Sequence, residues 1–223
     1  MGDIISLSSF DAYTNVRPYG QSMQTREQTA AYKTIRHTLI RTGLKPGTPI
    51  SAKALADDLG WIDKAEVTDH LTYLAKQGLI DAGLGSFCTK ILQRGEVYDL
   101  YRQNDVLLAA ALLTIEPGQQ GDDDTLEALE GQIGLADRTA ELFNRIAMLS
   151  QIEDLARRID LLNDRLQWFR EQEPKWLGAD RIANELDDLQ QLYASRNWVL
   201  LQEALSKYHD RRIDNLAGSI GKV

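Results

Sequence analysis

Residues 51–89 read SAKALADDLGWIDKAEVTDHLTYLAKQGLIDAGLGSFCT, and this stretch decides the fold. Ser51 is a favourable N-cap for a short helix that carries Leu55 and Leu59 and stops at Gly60. After a short turn, Val67, Leu71 and Leu74 fall at i, i+4 and i+7, and Gly78 closes that second helix. Leu79, Ile80 and Phe87 to Thr89 then read as two short strands around Gly83 and Gly85. Upstream, Ala31, Ile35, Leu39 and Ile40 share one face of an earlier helix, which Gly43, Pro46, Gly47 and Pro49 bring to an end. The order is helix, helix, turn, helix, hairpin, which is that of a winged helix-turn-helix over residues 30–90.

Outward from this segment the composition changes. The chain has 223 residues, with 25 Lys and Arg against 33 Asp and Glu, a net charge of −8. Residues 1–29 carry −1, residues 30–90 carry +2 and residues 91–223 carry −9. The middle segment can approach a polyanion and the C-terminal one cannot, although +2 over such a length is also an ordinary surface. Residues 1–29 are rich in Ser, Thr, Gln and Asn and read as a flexible arm, in which Arg17 and Arg26 are solvated or add minor-groove contacts. No basic start followed by an apolar run is present, so no secretory signal is expected, and no apolar run suits a membrane span. Cys88 is the only cysteine, which excludes an internal disulfide and a cysteine-based zinc cluster. A cytoplasmic setting and no membrane partner are expected.

Beyond Val97 the periodicity is helical throughout. Leu100, Leu107, Leu108, Ala111, Leu112 and Ile115 form one apolar face. Pro117 to Gly121 break it, Asp122 to Asp124 suit a helix start, and Leu126 and Leu129 mark a short helix. Leu135, Leu142, Ile146 and Leu149 define another. A long one carries Ile152, Leu155, Ile159, Leu162, Leu166 and Phe169 and ends near Pro174. Ile182, Leu189 and Tyr193 follow, and Trp198, Leu201, Leu205 and Tyr208 open the last. The predicted fold is therefore mainly α: an N-terminal winged helix-turn-helix and a C-terminal antiparallel all-α bundle of about six helices over residues 95–216. Trp168, Trp176 and Trp198 read as core or interface packing.

The motifs Ile35-Arg36, Gly43-Leu44-Lys45-Pro46-Gly47, Ala54-Leu55-Ala56-Asp57-Asp58-Leu59-Gly60, Gly78-Leu79-Ile80 and Gly85, with Val67, Leu71 and Leu74, resemble the N-terminal domain of GntR-family bacterial transcription regulators. The helical remainder is similar to the effector domain of the FadR-type branch. Tyr98 to Arg102 resembles its opening helix, and Glu185 to Asn197 its penultimate helix and the start of its last. The resemblance covers residues 30–216. It implies a homodimer that binds double-stranded operator DNA, acts as a repressor, and tunes DNA affinity through a small-molecule effector, often a carboxylic acid.

A recognition helix enters the major groove. Its outward face here is Lys64, Thr68, Asp69, Thr72 and Lys76. The family places arginines at the start of this helix and in its first turn; this sequence has Asp63-Lys64 and Thr68 instead. The turn before it, through Trp61-Ile62-Asp63, is one residue longer than usual, and Asp63, Glu66 and Asp69 oppose phosphate binding. Lys53 matches a phosphate-contacting position and Gly85 the wing-tip glycine. A scaffold that keeps the fold but acts through protein contacts is the alternative reading.

The resemblance also implies a divalent metal held by one Asp and three His. The matching positions are Ala140, Asn144, Leu186 and either Tyr208 or His209, so at most one ligand survives. With three histidines in the chain, His37, His70 and His209, neither a bound metal nor another cofactor is expected. Arg102 and Arg145, with Asn144 and His209, are then the candidates to hold an anionic effector. Salt bridges to acids such as Asp105 or Glu141 are equally compatible with the two arginines. Leu186 leaves open an apolar pocket, and a filled pocket in a domain that only dimerises is a further option. No nucleophile elbow, phosphate loop, dinucleotide fingerprint or His-Glu-x-x-His motif is present, so an enzyme is not expected.

Overall fold

The computed structural model describes residues 29–115 and 134–219. The arm up to residue 28, with Arg17 and Arg26, and the expected short helix at Leu126 and Leu129 with its Asp122 to Asp124 start, lie outside the described residues. The chain divides into two compact units, Met1–Ile91 and Leu92–Val223.

In the first unit, α1 (Ala30–Arg41) precedes β1 (Pro49–Ile50), α2 (Ala52–Leu59), α3 (Lys64–Lys76), β2 (Ile80–Ala82) and β3 (Phe87–Thr89). The Ser51 hydroxyl accepts from the Ala54 amide at 3.2 Å and starts α2. Gly60 ends it in the left-handed conformation, with φ of 67°, and its N–H closes on the Ala56 carbonyl. α3 packs on both α1 and α2 and supplies Val67, Leu71 and Leu74 to a core with Ile35, Leu39, Leu55 and Ile80. Tyr32 is buried on α1, whereas Ile40 is only half-buried. The added turn residue has a physical reason: Ile62 folds into the core while Trp61 stays exposed.

The wing has three strands, not two. β3 lies centrally, antiparallel to β1 (Ile50 opposite Phe87) and to β2 (Asp81 opposite Cys88). β1 is two residues long and begins with a proline, which an edge strand tolerates because its N–H is not required. It carries no alternation from which it could be read. Leu84 and Gly85 form the hairpin tip, closed by Gly83 N–H to Ser86 carbonyl at 2.8 Å, with Gly85 at φ of 76°.

The second unit contains six helices among the described residues: α4 (Arg94–Leu113), α5 (Leu135–Leu149), α6 (Glu153–Gln172), α7 (Pro174–Leu177), α8 (Ala179–Ala194) and α9 (Trp198–Ser219). Pro174 does not simply end the long helix; it opens the single turn α7 at N1, where a missing N–H costs nothing. Phe143, Ile146, Leu186, Leu201 and Leu205 sit in one apolar core with Leu108 and Leu142. Val97, Leu100, Tyr101, Leu166 and Phe169 form a second cluster. Ile152 is exposed and caps α6 instead of packing within it. Among the described residues, no helix is long and apolar enough to cross a membrane.

Leu71 is fully buried where α3 meets its neighbours. Leu71→Ala is expected to destabilise the first unit by about 2–5 kcal/mol. Hydrogen exchange of the α1–α3 amides checks this; unchanged protection would refute the packing described.

Candidate functional site

On the first unit, α3 starts at Asp63, whose carboxylate accepts from the Glu66 amide at 2.8 Å. Its inner face holds Val67, His70, Leu71 and Leu74. Outward lie Lys64, Asp69, Thr72 and Lys76, all exposed, with Thr68 half-buried. The Thr68 hydroxyl donates to the Lys64 carbonyl at 2.8 Å, and the Thr72 hydroxyl to the Thr68 carbonyl at 2.8 Å. Lys53 is exposed on α2 and Gly85 at the wing tip, where Leu84 projects fully into solvent. Among the described residues, Lys53, Lys64 and Lys76 form no ion pair. Asp63 and Glu66 are exposed beside them, and a Glu66 oxygen lies 3.7 Å from His70 Nε2.

In the second unit the expected effector residues scatter. Arg102 is exposed and donates to Asp210 at 2.9 Å, with its guanidinium 5.7 Å from the Tyr98 ring. Both neighbours hold its pKa above the ordinary value, Tyr98 first. Arg145 Nε donates to Glu141 at 2.8 Å along the same helix. Asn144 is half-buried and already engaged: its oxygen accepts from Asn163 at 2.7 Å and its Nδ2 donates to Asp160 at 3.4 Å. His209 alone is wholly interior. Its Nδ1 donates to the Leu205 carbonyl at 2.7 Å, which leaves Nε2 as a buried lone pair with no partner. Burial lowers its pKa to about 3, and Arg170, Arg212 and Arg102 reinforce this through their charge.

The interior instead gathers polar groups that the periodicity reading passed over. Arg212 on α9 donates through Nε to Glu173 at 3.0 Å and through Nη1 to Glu185 at 2.7 Å. Its guanidinium lies 3.3 Å from the Tyr208 ring centroid. The Tyr101 hydroxyl donates to the other Glu173 oxygen, and Arg211 also bonds Glu185. Burial opposes the Arg212 charge, but Tyr208, Glu173 and Glu185 together hold its pKa above the ordinary value. Burial and the Glu173 charge push the Tyr101 phenol well up.

Arg170 on α6 is different. It is 2% exposed, donates through Nη1 to Asn163 at 2.9 Å, and stacks 5.1 Å from the Phe143 centroid. Its Nε and Nη2 are buried without partners. Nearby rings crowd the same place: Phe143 lies 5.3 Å from Tyr208 and 5.7 Å from His209. Asn104, fully buried on α4, satisfies neither its oxygen nor its nitrogen, and the Tyr208 hydroxyl is also unpartnered. Each such orphan costs roughly 1–3 kcal/mol, and a guanidinium without a counter-charge costs more. The adjoining gap, lined by Tyr101, Phe169, Glu173, Trp176 and Arg212, is too narrow for a water molecule. A signal existed in the sequence. Arg170 is in phase with Asn163 and Leu166, Asn104 with Leu100 and Leu108, and Arg212 with Leu205 and Leu216. A polar residue in phase with a core stripe points inward.

The metal that the resemblance implies does not fit these residues. Ala140 and Leu186 offer no donor, Asn144 is spent on Asn163 and Asp160, and one His209 nitrogen remains. No group of three or more His, Cys, Asp or Glu among the described residues could hold such an ion.

A winged helix followed by an all-helical unit is thus the class that the fold defines. No protein-family model matches the sequence, and no curated protein matches it. Two solved structures share the fold. A Rhodococcus sp. RHA1 structure, solved as that of a GntR transcriptional regulator, superposes with a TM-score of 0.66 at 17% identity, over 84% of this chain and 96% of that one. E. coli McbR/YncC superposes with a TM-score of 0.60 at 16% identity, over 85% and 96%.

His209 makes stability acid-sensitive. Its folded pKa lies below the unfolded value of 6.5, so the unfolded chain takes up the proton first as pH falls. Its contribution is complete above about pH 6.5 and is lost between there and about pH 3. The loss runs at up to about 1.4 kcal/mol per pH unit. Denaturant unfolding between pH 7.5 and 4.5 should show a shallower fall for His209→Gln than for the parent. Identical slopes would exclude a buried neutral imidazole.

Proposed function

We propose that this chain is a transcription regulator of GntR type, from the FadR-type branch. In this reading residues 30–90 bind double-stranded operator DNA, and residues 95–216 dimerise and sense a small molecule without a metal. The observation that carries it is the outer face of α3, where Lys64, Thr72 and Lys76 are exposed with Thr68 half-buried between them, together with exposed Lys53 on α2 and Gly85 at the wing tip. A homodimer would read two half-sites, giving a pseudo-palindromic operator. Repression follows if effector binding favours an arrangement of lower DNA affinity, which requires unequal effector affinity for the two states. The setting is cytoplasmic, and no catalytic role is assigned.

The effector reading moves from Arg102 and Arg145, both satisfied by carboxylates, to the interior. Arg170 is a buried cation stacked on Phe143, whose other ring neighbours Tyr208 and His209 keep unspent polar atoms. A carboxylate supplies the missing counter-charge for the guanidinium, and a hydroxyl on the same molecule can donate to His209 Nε2. His209 thereby keeps its place as an effector candidate; Asn144 acts only through Asn163. The gap beside Tyr101, Glu173 and Arg212 is too narrow for a water molecule, so entry there requires the helices to part. A scaffold acting through protein contacts remains the second reading, favoured by exposed Trp61 and Leu84 and by the acids beside α3.

Selection from a random duplex pool tests the first half. The parent is expected to enrich a pseudo-palindrome. Lys53→Ala/Lys64→Ala should bind it more weakly, with the salt slope reduced by about 1.8 if each lysine neutralises one phosphate. No enrichment at low salt would favour the scaffold. Thermal unfolding with a panel of two- to six-carbon hydroxy- and dicarboxylates tests the second half. The panel should stabilise the parent and leave Arg170→Met unmoved, while Arg170→Met without any additive unfolds no earlier than the parent. Equal stabilisation of both proteins would remove Arg170 from the site.

A further inference from the structure

The two threonines at the centre of α3 differ chemically from the lysines at its ends. Thr68 and Thr72 each turn their hydroxyl hydrogen back onto a carbonyl of the same helix, at 2.8 Å in both cases. Each is left with a methyl group and an oxygen lone pair to offer a ligand. Of the exposed side chains on α3, Lys64 and Lys76 carry the uncommitted N–H donors, and they lie twelve residues apart. At 1.5 Å per residue that is about 18 Å, so the two lysines flank the threonine pair, each one turn from the nearer threonine. Thr68 and Thr72 are one turn apart, about 6 Å, which spans roughly two base-pair steps.

These observations select among bases. Guanine presents two acceptors in the major groove, N7 and O6, and a threonine with its hydrogen already spent has nothing to donate to them. Thymine presents its 5-methyl group, which packs against a threonine methyl; the amino donors of adenine and cytosine can both meet the hydroxyl lone pair, so the methyl is what discriminates. Resting on the operator-binding reading above, we infer that α3 recognises A·T pairs at the centre of each half-site, through thymine methyl groups held against Thr68 and Thr72. Lys64 and Lys76 then meet phosphates or flanking bases, and sequence choice rests on apolar contact at the centre.

The test uses the full-length protein and the duplex that it enriches from a random pool. The enriched half-site is expected to hold adjacent A·T pairs at its centre. Replacing one central thymine by uracil keeps the pairing and removes only the methyl group; affinity should fall about fourfold, the worth of one buried methyl. Thr68→Ser and Thr72→Ser keep the hydroxyl and remove the methyl, so one of the two variants should lose its response to that uracil. Circular dichroism establishes that the variants are folded, and the uracil duplex tests the parent without any variant. Central G·C pairs, or equal affinity for the thymine and uracil duplexes, would overturn the inference while leaving operator binding intact. Failure to enrich any duplex would overturn operator binding and this inference with it.

Discussion

Arg212 stands where four parts of the bundle meet. It reaches Glu173 at the junction of α6 and α7, Glu185 on α8, and the face of Tyr208 on its own helix, while Tyr101 of α4 holds the far side of Glu173. A buried ion pair of this kind adds little net stability, because removing two charges from water costs nearly as much as their attraction returns. What it contributes is register. Moving α9 by a turn separates Arg212 from Glu173 and Glu185 and leaves buried charges without partners, at a cost of about 3–5 kcal/mol. The apolar surfaces of α4, α6, α8 and α9 can pack in many ways; this cluster admits one.

Arg170 shows the same constraint left unfinished. It lies in the same interior, against Phe143, with one hydrogen bond to Asn163 and no acid. Asn104, His209 and Tyr208 likewise keep buried polar atoms without partners. A domain selected for stability alone would replace such groups by apolar ones. Arg212 is paired with Glu173 and Glu185, whereas Arg170 meets no acid among the described residues.

The first unit solves a different problem. α3 buries Val67, Leu71 and Leu74 and turns a lysine–threonine face outward, on which the threonines satisfy their own hydroxyls. The longer turn before it is accommodated because Ile62 gains burial where an extra residue could have strained the link. The acids at Asp63 and Glu66 serve the helix start, as N-cap and first-turn charge, at the expense of phosphate attraction.

The helices of both units were legible because their apolar residues recur with a helical period, and periodicity is a local property. The caps at Ser51 and Gly60 and the outward side of α3 were legible for the same reason, since a residue's phase on one helix follows from spacing alone. β1 was not, because two residues set no period; its pairing with β3 is what makes it a strand. Glu141, four residues before Arg145, was legible as its partner from spacing, whereas Asp210, which meets Arg102, lies 108 residues along the chain and was not. Sequence alone thus determined most of the apolar residues that face inward on the helices, Ile40 and Ile152 being exceptions. Only the tertiary structure decided which inward charges find partners, because pairing depends on distances between segments up to 111 residues apart, as between Tyr101 and Arg212 on either side of Glu173.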